Sequence, residues 1–164
     1  MAQLITASEI ISIAFSNSNT DPYLFRDADI EYSQVRHLKP ILGEDLYDEI
    51  VSQNDSSSLT ALNTTLMDDY LINMLAHWSK WDMLQNYQKT ESSKGIQILT
   101  QEFGRSVDSD EMVDHMTRIH RRAYILTKQM VDYIEHEDNY KNYPLYNSGE
   151  NPFNDVKIVG GIIY

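Results

Sequence analysis

The sequence predicts an all-α fold, a helical bundle organised by two long antiparallel helices at about 59–88 and 110–137. Three observations predict it. Apolar residues step by threes and fours along both segments, the spacing of one helix face. No segment of comparable length alternates with period two, which leaves little room for a sheet. The chain has 164 residues, 41% of them hydrophobic, enough to bury a core; it holds no cysteine, so that core forms without disulfide staples.

The elements follow in order. Thr6, with Glu9 three residues on, is a capping box ahead of Ile10, Ile11, Ala14 and Phe15, so a short helix opens the chain. Asn17–Pro22 is a turn cluster. Residues 27–38 read as a second helix, stopped by Pro40. Gly43–Ile50 opens another short helix with Glu44, Asp45, Asp48 and Glu49 near its N-terminus, where the macrodipole favours carboxylates. Asn54–Ser58 is a loop.

The first long helix carries Leu59, Leu62, Leu66, Tyr70, Met74, Trp78 and Trp81, and Leu71 and Leu75 widen the stripe. It is therefore expected to be buried on much of its circumference, with both tryptophans in the core. The second carries Met112, Met116, Ile119, Ala123, Leu126, Met130 and Tyr133, a heptad seam for packing along another helix. Between them, 89–109 is polar, and Lys94–Thr100 alternates like a strand or a hairpin arm. The expected domain division is a helical domain at 1–138 and an extended C-terminal arm at 139–164.

That arm is rich in Asn, Tyr, Pro and Gly, and it ends in Val156, Lys157, Ile158, Val159, Gly160, Gly161, Ile162, Ile163 and Tyr164. Such an apolar, β-prone stretch either folds back on its own domain or docks on a neighbour.

The net charge of −12 opposes nucleic-acid binding unless a basic patch is segregated. Arg118, Arg121 and Arg122 stand at helical spacings of three and four. They are either a solvated helix face paired with Asp108, Asp110, Glu111 and Asp114, or a docking patch for an acidic protein surface such as Glu44, Asp45, Asp48 and Glu49 of a neighbour.

Catalytic patterns are missing from the sequence. None of His37, His77, His115, His120 and His136 has a metal-site spacing, and all five read as surface or boundary residues. Phosphate-loop and nucleophile-elbow glycine patterns are also missing. No enzyme, cofactor or metal is expected. No apolar run reaches the length of a membrane span, and the N-terminus lacks the basic start of a secretory signal.

Leu4–Phe15, the block Leu38-Lys-Pro-Ile-Leu-Gly-Glu-Asp-Leu-Tyr-Asp-Glu-Ile50, Tyr143-Pro-Leu145-Tyr146 and the Gly160–Tyr164 end together resemble one family. It is the family of small helical head–tail connector proteins of tailed bacteriophages, as found in crAss-like and related phages of Bacteroidetes hosts. The resemblance implies a virion structural protein at the neck: a ring, commonly of twelve copies, under the portal protein. It extends the DNA channel, carries the next neck or tail ring, and lets packaged DNA pass without specific binding. Partner contacts are then expected from the C-terminal arm (Val156, Ile158–Tyr164, Tyr143, Leu145, Tyr146) and from Arg118, Arg121 and Arg122. The alternative is a small acidic cytoplasmic helical module that binds one regulatory protein.

Overall fold

A computed structural model describes residues 3–15, 21–87, 90–92, 95–97, 109–147, 158–159 and 162–163. The body is all-helical. Helices α1 (Ala7–Ala14), α2 (Asp27–His37), α3 (Lys39–Leu42), α4 (Glu44–Asp55), α5 (Ala61–Leu66), α6 (Ile72–Tyr87) and α7 (Ser109–Glu135) follow one another along the chain. Two small antiparallel hairpins accompany them, β1 (Thr90–Ser92) with β2 (Gly95–Gln97), and β3 (Ile158–Val159) with β4 (Ile162–Ile163).

The first helix starts where the capping box puts it. The Thr6 Oγ1 accepts from the Glu9 amide at 3.3 Å, and the Glu9 carboxylate accepts from the Thr6 amide at 2.8 Å. Pro40 does not end helical structure. Helix α2 stops at His37, the chain bends at Leu38, and Pro40 stands in the first turn of α3, where its missing N–H is no loss. Gly43 (φ 81°) then turns the chain into α4; its left-handed backbone favours glycine, and Asn147 packs 3.6 Å from where a Cβ would stand.

The first long helix is continuous but not uniform. Between α5 and α6, Met67–Leu71 form a wide turn in which the Ile72 amide bonds the Met67 carbonyl, five residues back. The extra residue re-phases the apolar stripe, so Leu66, Met67 and Leu71 are all buried while Asp68 and Asp69 face water. Helix α6 then runs through the centre, with every residue from Met74 to Ser79 buried. It packs on α1, α2 and α7, which explains why a period-3.6 stripe is indistinct along it. Helix α7 is the opposite case. It buries Ile119, Ala123, Thr127, Met130, Val131 and Ile134 and exposes the other side along its length.

Three sequence expectations change here. Tyr143 and Tyr146 are core residues, 2% and 5% exposed, and do not belong to an arm. The Tyr143 hydroxyl donates to the Leu62 carbonyl at 3.1 Å, and the Tyr146 hydroxyl donates to Glu135 at 2.8 Å. Tyr143 also meets Tyr133, which stacks on Tyr70 with ring centroids 4.4 Å apart. The body therefore runs through Asn147 instead of ending at 138, and of the three contact residues expected in this segment only Leu145 is exposed, at 40%. Second, Ile158–Val159 and Ile162–Ile163 pair with each other and do not form one extended strand. Gly160-Gly161 between β-branched residues is the sequence signal for such a hairpin. Val156, Gly160, Gly161 and Tyr164 lie outside the described residues. Third, His77 is an interior residue, 4% exposed, and not a surface or boundary one, whereas His37 does lie at the boundary with its side chain 11% exposed.

Candidate interaction surface

A dense polar knot inside the described body centres on Asp82 of α6, whose side chain is 7% exposed. Its carboxylate accepts from the Ser33 hydroxyl, from Arg36 Nη1 at 2.9 Å and from His37 Nε2 at 2.9 Å, all on α2. A serine, a histidine and an aspartate thus meet, but in the wrong order for nucleophilic catalysis. There the histidine must stand between the other two and take the hydroxyl proton; here serine and histidine both bond the same carboxylate. His37 also stacks on Trp78, ring centroids 4.1 Å apart, and Trp78 Nε1 donates to Thr127 Oγ1 at 2.9 Å. The knot clamps α2 and α7 onto α6. Among the described residues no group of three or more His, Asp or Glu side chains could hold a metal, and no helix is long and apolar enough to cross a membrane.

Outside the core, the three arginines expected to share a face are all exposed on α7. At about 100° per residue, Arg118 and Arg122 line up with His115 on one flank of α7, and Arg121 stands only about 60° around the helix from Arg118. The first flank faces α6, where Lys80 Nζ donates to the Ala14 carbonyl at 2.7 Å and lies 4.3 Å over the Phe15 ring. His77, one turn before Lys80, bonds the Asn73 carbonyl through Nδ1 at 2.9 Å, so Nδ1 carries the hydrogen.

Lys80, His115, Arg118 and Arg122 therefore share one surface across two helices, with His77 buried next to them. Their mutual repulsion is visible in their acidities. Burial lowers the His77 pKa, and Arg122 and Lys80 add to that. Burial also lowers Lys80, with Arg122 second, and lowers His115, with Lys80 and Arg118 behind it. Among the described residues Lys80, Arg118, Arg121 and Arg122 form no ion pair. Arg118, Arg121 and Arg122 are exposed, as a solvated face requires, but none pairs with the described upstream acids of α7, and Asp108 lies outside the described residues. The acidic counterpart on the same chain is the outer face of α4, where Glu44, Asp45 and Asp48 are exposed. Lys39 reaches Glu44 at 2.7 Å and Asp48 at 3.8 Å, which leaves that face net negative.

The other flank of α7 borders an apolar groove of about 440 Å3 between the end of α6 and the start of α7. Trp81, Gln85, Met112, Val113, Met116, Thr117 and His120 line it. Val113 is 63% exposed, and His120 packs on Trp81 with centroids 5.1 Å apart. Sequence reasoning missed the groove, because the heptad seam names Met112 and Met116 as buried, whereas both are only partly buried and line its wall.

What the fold and these surfaces define is a compact helical body with segregated charge and an open apolar groove. The chain belongs to the family of unknown function DUF6712, whose model matches residues 38–153, more than half of its length. No curated protein and no solved structure matches it.

Proposed function

We propose that the protein is a structural subunit of the ring that joins capsid to tail at the portal vertex of a tailed bacteriophage and extends its DNA channel. The observation that carries this reading is the cationic surface of Lys80, Arg118 and Arg122 on a chain of net charge −12. Like charges held together without a counter-charge cost free energy in the free chain, and an acidic protein surface relieves it. The exposed acids of α4 supply such a surface on an identical neighbour, with Glu44 and Asp48 one helical turn apart like Arg118 and Arg122.

The resemblance to head–tail connector proteins gives this association its setting. Its most specific block, Leu38–Ile50, contributes Leu38, Ile41, Leu42, Leu46, Tyr47 and Ile50 to the core, and it lies within the matched family region. Partners in this reading are the portal protein, identical subunits and the next neck or tail ring. Packaged DNA passes through the lumen, held off by the acidic surface.

Native mass spectrometry of the chain alone and with the portal protein tests the proposal. The expected result is a ring of fixed copy number on the portal. A chain that stays monomeric and ignores the portal overturns it and favours the regulatory-module reading.

A further inference from the structure

We infer that the apolar groove between α6 and α7 receives the β3–β4 hairpin of a second copy of this chain. The inference rests on the reading that copies of the chain associate, and it assigns the contact.

The hairpin cannot stand alone. Each strand has two residues, and an isolated two-stranded hairpin is marginal in water even when longer. Its four paired residues, Ile158 with Ile163 and Val159 with Ile162, are all β-branched and apolar. Edges of that composition pair with or pack on another surface when one is within reach. Among the described residues the groove is an open apolar surface of suitable chemistry. Its walls combine the Trp81 ring with Met112 and Met116, whose flexible thioethers adapt to branched aliphatic groups. At about 440 Å3 it has the size of a small-ligand site, which suits a few aliphatic side chains and not a whole sheet.

The tether favours a neighbour's groove over the chain's own. The body ends at Asn147, held beside Gly43, just after Tyr146 bonds Glu135 at the C-terminal end of α7. The groove lies at the other end of that helix. From Glu135 back to Met116 the helix rises about 28 Å. Residues 148–157 span at most about 33–36 Å when fully extended. Reaching its own groove would therefore use most of that span, which restricts the conformations open to the chain. A neighbour placed head to tail brings its groove end beside Asn147, well within the reach of ten residues.

The chain has no native cysteine, so thiol cross-linking can be read without background. A Met116→Cys chain mixed with an Ile162→Cys chain, both otherwise full length, is treated with a short bismaleimide. A docked hairpin holds the two thiols at an effective concentration in the millimolar range. The expected product has twice the chain mass and exceeds, by at least about tenfold, that from an exposed Asp132→Cys control paired with Ile162→Cys. A yield no higher than the control overturns the inference. So does a cross-link that forms only within one chain when both cysteines are placed together and diluted with unmodified protein. Val113→Glu, at an exposed position on the groove wall, should keep the fold and reduce the Met116–Ile162 product about tenfold; an unchanged yield would also count against the groove. Portal assembly measured in parallel separates the two readings. Rings without the cross-link sink the groove alone, and the cross-link without rings sinks the connector alone.

Discussion

Removing the Asp82 carboxylate is the sharpest test of what holds the body together. In Asp82→Ala the fully buried Ser33 hydroxyl loses its acceptor, and so does the His37 ring, whose side chain is 11% exposed. Each stranded buried donor costs about 1–3 kcal/mol. Arg36, at 43% side-chain exposure, turns to water and adds little. The expected loss is about 3–5 kcal/mol, a large part of the roughly 5–15 kcal/mol that such a domain holds in total. At about 2–4 °C per kcal/mol for a chain of this size, the midpoint falls by about 6–20 °C. Asp82→Asn keeps one acceptor oxygen but turns an amide toward a donor, so it falls between. Urea unfolding followed by tryptophan fluorescence reports all three proteins. A cycle with Ser33→Ala checks the mechanism, because the double variant should cost less than the two single losses added together. An Asp82→Ala protein within about 1 kcal/mol of the parent, or a strictly additive cycle, would refute the account.

Four further outcomes follow from the same structure. Ser79 Oγ is the buried side-chain polar atom that has no partner among the described residues, so Ser79→Ala should raise stability by about 0.5–1 kcal/mol in thermal unfolding. Ending the chain after Asn147 should leave the unfolding midpoint unchanged. Ending it after Asn142 removes buried Tyr143 and Tyr146 and should cost about 3–6 kcal/mol by urea unfolding. His77 and His115 have pKa values below their ordinary 6.5, chiefly through burial, so the unfolded chain takes up their protons first. Their contribution to stability is present above about pH 6.5 and is lost as pH falls through the folded values; His77→Gln should flatten that part of a pH–midpoint curve. Finally, Arg118→Glu with Arg122→Glu should shift stability by no more than about 0.5 kcal/mol, since both are exposed. The same change should abolish portal-dependent assembly measured by native mass, and Glu44→Lys with Asp48→Lys should restore part of it.

Features carried by contiguous residues were legible in the sequence. Thr6 and Glu9 announce α1, because a capping box closes within four residues. The seam from Ile119 to Met130 reads correctly because α7 has one buried face along its length. The wide turn at Met67–Leu71 stayed hidden, because a five-residue step from Leu66 to Leu71 disappears among steps of three and four. Tyr143 and Tyr146 were disguised by Pro144 and the polar residues around them; their burial depends on Leu62 and Glu135, which only folding brings near. The cationic surface is likewise a tertiary fact. Its arginines are visible as a row on α7, but Lys80 and His77 come from α6.

On the connector reading, this distribution of charge also constrains how copies can meet. A two-fold symmetric contact sets the same patch against itself, which here would oppose one cationic surface to another. A heterologous contact joins different surfaces, and the cations of α6 and α7 then meet the acids of α4. Beyond a Debye length of about 8 Å at physiological salt, the repulsion between chains of charge −12 is largely screened. Short-range complementarity then decides the geometry, while the net charge weakens only encounters that miss it. Heterologous contacts continue indefinitely unless the rotation closes, so closure must come from the angle between the two surfaces or from the portal beneath. The hairpin adds a tether across the same junction. Docked in the next copy's groove, it turns each subunit's second contact into an intramolecular event, so a weak charge-driven ring gains avidity without a larger interface.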